Sequence, residues 1–195
     1  MQYKDVFEKF EKEIRGCKKP MGLIQVGAHL GQEMPRFSEW FEKIILIEPI
    51  EKYADILRAK GYDVREVAIS EARGNIDFYV SKRLSQFSSI LPGGLLGEDF
   101  DKIKVLSTPL RAIQGIGYNV LVIDVQGAAM QVLRSADLNF EIIIFEGSNK
   151  PRYEGEYPAG EILEYLYKNG YTLSGQFQHG NKDVFDFVLR KNEKI

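Results

Sequence analysis

The chain has 195 residues, 44% of them apolar and 28% charged, proportions that suit one globular domain with a hydrophobic core of its own. Its 26 basic and 28 acidic side chains leave a formal net charge of -2, which argues against a general binder of nucleic acid. Cys17 is the only cysteine, so an intrachain disulfide and a cysteine-based zinc cluster are both excluded.

In the opening segment, residues 1–20, Val6, Phe7, Phe10 and Ile14 recur at helical spacing. They predict a short amphipathic helix and link, docked on a domain spanning residues 21–195. The segment mixes charge with aromatics and lacks the apolar core of an export signal. No run approaches the roughly 18 apolar residues of a membrane span, so a cytoplasmic protein without stable membrane insertion is expected.

Residues 23–27 read as a buried strand that runs into the turn Gly27-Ala28-His29-Leu30-Gly31, followed by a helix to about Phe41. Residues 44–47 form the next strand, which Glu48-Pro49 ends because proline cannot donate to a ladder. A helix over 51–60 closes at Gly61, and 63–70 reads as a third strand. The middle is less regular. Residues 75–80 alternate like a strand, 81–97 read as a long exposed loop, 105–107 as a short strand, and 109–113 as helix. The rhythm then returns, with a strand over 120–125, a helix over 129–135 and a strand over 142–146. A polar loop follows over 148–160, then a helix over 161–169. Strands over 171–177 and 184–189 flank His179-Gly180-Asn181, a connection tight enough for an antiparallel pair. Repeated strand, turn and helix mark a doubly wound α/β domain with a mostly parallel sheet.

In such a sheet the ligand crevice lies beyond the carboxyl ends of the strands. Gly27 and Gly31 bracket the first turn, where glycine permits a sharp bend and a close ligand approach. Glu48 ends the second strand, where its two oxygens can accept from both hydroxyls of a ribose. The turn lacks both G-x-G-x-x-G and G-x-x-x-x-G-K-[ST], so it suits an adenosyl group without pyrophosphate, of which S-adenosylmethionine is the natural candidate. A degenerate dinucleotide site is the alternative.

The segments Val26-Gly27-Ala28-His29-Leu30-Gly31, Glu48-Pro49, Gly74-Asn75-Ile76-Asp77-Phe78 and Ile123-Asp124-Val125-Gln126-Gly127 carry a resemblance. Over about residues 21–190 the chain resembles the FkbM-type S-adenosylmethionine-dependent methyltransferases, a class I group that mostly methylates hydroxyl oxygens. The resemblance also takes in the serine-rich stretch Gln86-Phe87-Ser88-Ser89. It implies a Rossmann-like seven-stranded sheet with an antiparallel C-terminal strand and an additional strand after the third βα unit. It further implies that Gly27, Ala28, His29 and Gly31 wrap the methionine end of the cofactor. Glu48, beside Pro49, would hold the ribose; Glu66, Ala68 and Ile69 would flank adenine; Asp124 would lie near the reacting centre. The family usually has asparagine at His29, aspartate at Gln25 and glutamates at Gln126 and Ala129. Three acids are therefore neutral here, and Glu33 is the candidate to face the cofactor ammonium in their place.

Methyl transfer requires an acceptor atom in line with the methyl group and, for an alcohol, a general base. Asp124 is the leading base; capping of the next helix is the alternative for it. Glu146, at the end of the following strand, and His179, in the last hairpin, are further catalytic candidates. No histidine spacing suggests a metal site. Arg83, Lys150, Arg152, Tyr153 and Tyr157 lie on the two long loops and are candidates for acceptor selection, which favours a sugar or natural-product hydroxyl. A non-catalytic cofactor-binding module and a nicotinamide oxidoreductase are the competing readings.

Overall fold

The computed structural model describes residues 10–14, 21–94, 99–178 and 182–193. In chain order its strands are β1 (Gly22–Val26), β2 (Lys43–Ile47), β3 (Asp63–Arg65), β4 (Ala68–Ile69), β5 (Gly74–Ser81), β6 (Phe100–Thr108), β7 (Val120–Ile123), β8 (Ile142–Ser148), β9 (Tyr171–Gln178) and β10 (Val184–Lys191). Its labelled helices are α1 (Met34–Trp40), α2 (Glu51–Ala59), α3 (Ala129–Arg134) and α4 (Ala159–Lys168).

The apolar runs become the centre of a seven-stranded sheet ordered β3-β2-β1-β7-β8-β10-β9. β1 is buried along its whole length because parallel strands flank it on both sides, with Leu23 opposite Ile44 and Val120 and Val26 opposite Ile47 and Ile123. Alternate residues divide between the faces. Ile24 and Val26 join Ile45, Ile47, Leu121 and Ile123 in the core under α3 and α4. Leu23 and Leu46 join Val120, Val122, Met34 and Phe37 of α1 and Leu57 of α2 on the other face. Leu23 and Ile24 are fully buried, and truncating either to alanine would cost about 2–5 kcal/mol. β10 runs antiparallel to both β8 and β9, which closes the sheet as the sequence suggests. The antiparallel pair flanks residues 179–181, which lie outside the described residues.

The extra strand belongs to a second, three-stranded sheet ordered β4-β6-β5. Two expectations need correction there. The third strand over 63–70 is two strands: β3 alternates exposed Asp63 and Arg65 at the edge of the main sheet, and the chain then breaks so that Ala68 and Ile69 can pair with Ser107 and Thr108. The short strand expected over 105–107 is the nine-residue β6, antiparallel to all of β5. Its exposed positions, Lys102 and Lys104 among them, carry no apolar alternation along that stretch, but they pair across the ribbon with Asp77 at 2.7 and 2.6 Å. Smaller differences lie at element ends: β7 stops at Ile123, short of the expected residue 125, and β8 runs on past residue 146 to Ser148. The first helix starts only at Met34, the last already at Ala159, and the segment after Pro109 is a single 3-10 turn.

Residues 10–14 are helical, as expected from the spacing of Phe10 and Ile14, both of which are buried. The Glu13 carboxylate lies 3.4 Å from Arg190 Nε on β10, which ties the opening segment to the sheet. Val6 and Phe7 lie outside the described residues.

Candidate functional site

The strand order reverses between β1 and β7, so their carboxyl ends, Val26 and Ile123, lie side by side at the switch point where an open α/β sheet binds ligands. A cavity of about 430 Å³ opens there, within the size range of small-molecule and cofactor sites.

The turn after β1 is fixed by main-chain contacts. Gly27 and Ala28 both donate their N–H groups to the Ile47 carbonyl, at 2.9 and 3.1 Å. Gly27 has a φ of 84°, and a Cβ there would lie 1.8 Å from the Asp124 carbonyl oxygen. Glycine is thus required by the close crossing of the ends of β1 and β7, and Gly27 itself lines the cavity. Gly31, with a φ of 67°, turns away from the cavity toward Leu57 and Met34. Ala28, His29 and Gln32 complete the cavity wall from this turn. His29 sits at a φ of 45°, a conformation in which asparagine and histidine are enriched. Its Nε2 is hydrogen-bonded with Ser85 Oγ at 2.9 Å, its ring lies 4.5 Å from that of Tyr53, and burial lowers its pKa, favouring the neutral ring.

Glu48 is on the same edge as this turn and is only 4% exposed. Its Oε2 accepts from the His29 N–H at 2.8 Å and its Oε1 from the Ile50 N–H at 2.9 Å, so the carboxylate is oriented by one backbone donor on each oxygen. Each oxygen keeps a further lone pair, and Glu48 lines the cavity. Burial outweighs these two bonds and pushes the carboxyl up to about 7. Pro49 and Ile50 continue the wall into an apolar end formed by Val67, Ala68, Ile69, Phe78 and Ile90. Glu66 is not part of it. Its carboxylate pairs with Arg58 of α2 at 2.8 Å on the protein surface, which corrects its expected place beside adenine.

The opposite end of the cavity is acidic. Asp124 follows β7 and opens into the cavity; it does not cap α3, whose N-cap is Ala128 and which has no side-chain cap. Gln126, at a φ of 47°, turns its Nε2 back to Asp124 Oδ1 at 2.9 Å and to Glu146 Oε1 at 3.3 Å. A glutamate in that place would add a further negative charge, whereas the amide bridges two carboxylates. Enclosure by protein, then the charges of Glu146 and Glu33, raise the Asp124 pKa well above the usual carboxylate range. Glu33 is also raised, by burial, while a bond from Gln25 partly opposes the shift. Asp186 on β10 completes this wall and is buried. Its sequence signal is a charge inside Val184-Phe185-Asp186-Phe187, where every neighbour is apolar. Gln25 Oε1 and Gln126 Oε1 are buried without a hydrogen-bond partner.

The loop over 81–94 is not simply exposed. Ser85, Gln86, Phe87 and Ser88 line the cavity, and buried Ser89 donates to the Gln126 carbonyl at 2.7 Å. The loop over 148–160 clasps it from outside, with Tyr153 Oη donating to the Phe87 carbonyl at 3.0 Å and the Glu154 N–H to Pro92 at 2.9 Å. Arg152 bonds Glu146 at 3.1 Å and Glu156 at 3.4 Å, so it is committed to the protein's own acids. Lys150 pairs with Asp183 at 3.7 Å, Tyr157 stacks under Arg134, and Arg83 is exposed. These five residues brace or flank the rim and are absent from the cavity wall. His179 lies outside the described residues.

An adenosyl-amino-acid cofactor matches these parts one by one: an apolar end for a base, an oriented carboxylate for a diol, and an acidic end with two orphaned amide oxygens for an ammonium and a sulfonium. The methyltransferase FkbM domain matches residues 25–173 of the sequence. The chain belongs to this family. It is an S-adenosylmethionine-dependent methyltransferase, and the nicotinamide reading is set aside. No curated protein sequence matches it. Among solved structures it is similar to the ribosomal protein L11 methylase of Lactobacillus delbrueckii subsp. bulgaricus, with a TM-score of 0.59 and 9% identity over 98% of this chain and 81% of that one. It is also similar to the magnesium protoporphyrin IX methyltransferase of Synechocystis PCC 6803, with a TM-score of 0.58 and 10% identity over 97% and 80%. The precorrin-6y C5,15-methyltransferase of Geobacter metallireducens GS-15 gives 0.56 and 10% over 99% and 90%. At these identities the likeness is one of fold. Among the described residues no helix is long and apolar enough to cross a membrane.

Proposed function

We propose that this methyltransferase acts on a hydroxyl oxygen of a carbohydrate or small natural product, with Asp124 as the base. The observation that carries the reading is the position of Asp124, a carboxylate open to the cavity at the strand switch point, held by Gln126 and with its pKa raised by desolvation and neighbouring acids. A carboxyl with a raised pKa is a stronger proton acceptor when ionised, which suits an alcohol donor. Bound S-adenosylmethionine supplies a sulfonium methyl, and as the acceptor oxygen bonds to it the sulfur keeps the electron pair of the broken bond.

The residues divide the remaining work by position. Glu48 accepts from the ribose hydroxyls through the lone pairs left by His29 and Ile50. Gln25 and Glu33 receive the cofactor ammonium, and Val67, Ala68 and Ile69 flank the base. Asp124 takes the hydroxyl proton while Gln126 keeps it apart from Glu146. The test is release of S-adenosylhomocysteine from S-adenosylmethionine with panels of hydroxyl, amine, thiol and carboxyl acceptors, followed by mass-spectrometric location of the methyl group. Transfer to oxygen of a hydroxyl acceptor is expected; transfer confined to nitrogen, sulfur or carboxylate acceptors would overturn the reading.

A further inference from the structure

The turn after β1 and the loop over 81–94 are joined by a side chain. His29 Nε2 and Ser85 Oγ are hydrogen-bonded at 2.9 Å. The rest of His29 is fixed from the opposite direction. Its N–H donates to Glu48 Oε2 at 2.8 Å, and its ring packs 4.5 Å from that of Tyr53 on α2. A non-glycine residue at a φ of 45° keeps that conformation only when its surroundings hold it, and here they hold both its backbone and its ring. Glu48 is thus two hydrogen bonds from Ser85, through a single residue.

Ser85 belongs to a compact unit. It begins the 3-10 turn Ser85–Phe87, and its carbonyl accepts from the hydroxyl and the N–H of Ser88 at 2.7 and 3.2 Å. The Phe87 N–H donates to the Leu84 carbonyl at 2.8 Å, and the Leu84 N–H to Ser81 Oγ at 3.2 Å. These bonds are local, so residues 84–88 shift as one body, and the supports outside the unit decide where it sits. Ser85 meets His29, while the Phe87 carbonyl accepts from Tyr153. Ser85, Gln86, Phe87 and Ser88 all line the cavity, so the placement of this unit sets the shape of the wall.

A ligand moves such a contact only if it interacts differently with the two states of the group it touches. Glu48 supplies that difference. It titrates at about 7, so both forms are present at neutral pH, and the hydroxyl donors of a ribose favour the ionised one. A hydrogen bond to an ionised acceptor is roughly twice as strong as one to a neutral acceptor. The His29 N–H therefore has its firmest hold on Glu48 when the ribose is seated, and the ring is steadied with it.

We infer that His29 is a positioning residue, which passes the seating of the ribose on Glu48 to Ser85 and so sets residues 84–88 against the cavity before methyl transfer. The inference rests on Glu48 as the ribose acceptor and adds to it the route by which the rim responds.

Hydrogen-exchange mass spectrometry on the full chain, with and without saturating S-adenosylhomocysteine, reads the two segments separately. In the wild type, binding is expected to slow exchange about tenfold or more both in residues 26–31 and in residues 84–88. In Ser85→Ala the slowing at 26–31 and the Kd should stay within about threefold of wild type, while the slowing at 84–88 falls below about threefold. His29→Asn tolerates the same φ but its amide ends short of the Nε2 position. It should give the same result at 84–88, and it supplies the reading if S85A leaves that segment too fast to measure. A merely structural bond would raise exchange at 84–88 equally in the free and bound proteins and leave their ratio unchanged. An unchanged ratio in both variants, which direct contact of the ligand with the segment would also give, overturns the inference. So does a wild-type segment 84–88 that ignores ligand bound at 26–31. Wild-type affinity in Glu48→Gln would remove the ribose reading, whereas weakened binding in E48Q beside an unresponsive 84–88 would remove this inference alone.

Discussion

Substituting glutamine for Glu48 separates what this carboxylate does for the cofactor from what its burial does to the fold. The group titrates at about 7 in the folded chain against 4.5 as a free side chain, because desolvation exceeds the help of two backbone donors. Its folded pKa is raised, so the folded protein holds a proton that the unfolded chain has released between those two values. The associated stability is fully present below pH 4.5 and is lost as pH rises through 7. The displacement corresponds to roughly 3 kcal/mol, of which about 2.5 kcal/mol falls between pH 5 and pH 8. Glutamine does not titrate, but with a single oxygen it strands one of the N–H groups of His29 and Ile50, a pH-independent cost of about 1–3 kcal/mol. The two effects oppose each other above neutral pH, so the slope is diagnostic and the absolute stability is not. Urea unfolding from pH 5 to pH 8 at fixed ionic strength should show the wild type losing about 2.5 kcal/mol more than E48Q. Asp124 and Glu33 titrate in both proteins and cancel in the difference. Parallel pH profiles would refute the reasoning.

Three further outcomes follow from the geometry. Gly27→Ala should destabilise the fold by about 2–6 kcal/mol, since a methyl group there meets the Asp124 carbonyl and φ is positive; an unchanged melting temperature would contradict the main-chain crossing described above. Asp124→Asn should lower kcat/KM by about 10²- to 10⁴-fold while the Kd for S-adenosylmethionine moves less than about threefold, so equal turnover would remove Asp124 as the base. Tyr153→Phe, which deletes the bond to Phe87, should cost about 1 kcal/mol and speed amide exchange in residues 85–90, and exchange mass spectrometry showing wild-type protection there would dismiss the clasp.

The sequence was most informative where burial on both sides imposes a continuous apolar run. The runs read over 23–27, 44–47, 120–125 and 142–146 fall on the adjacent strands β1, β2, β7 and β8, and the switch point follows from their order. Glu48 was legible because a charge and a proline together end such a run. The second sheet was not, because Lys102, Lys104 and Asp77 pair with one another across an exposed ribbon, and solvated charge pairs leave no apolar period. Asp186 was missed for a different reason: a strand that reads Val-Phe-Asp-Phe shows where a carboxylate is buried without showing which others it meets. The same limit hid the bridging of Asp124 and Glu146 by Gln126. Set against the family resemblance, the neutral residues at Gln25, Gln126 and Ala129 looked like lost acids; in space Glu33 and Asp186 place carboxylates on the same wall.

The close approach of Gly27 to the Asp124 carbonyl joins the turn after β1 to the end of β7, with no side chain between them. The rim is held differently, by the hydroxyls of Ser89 and Tyr153 reaching across to carbonyls of neighbouring loops. Loops 81–94 and 148–160 are thereby interlocked, through Tyr153 on Phe87 and Glu154 on Pro92, so that a displacement of one is passed to the other.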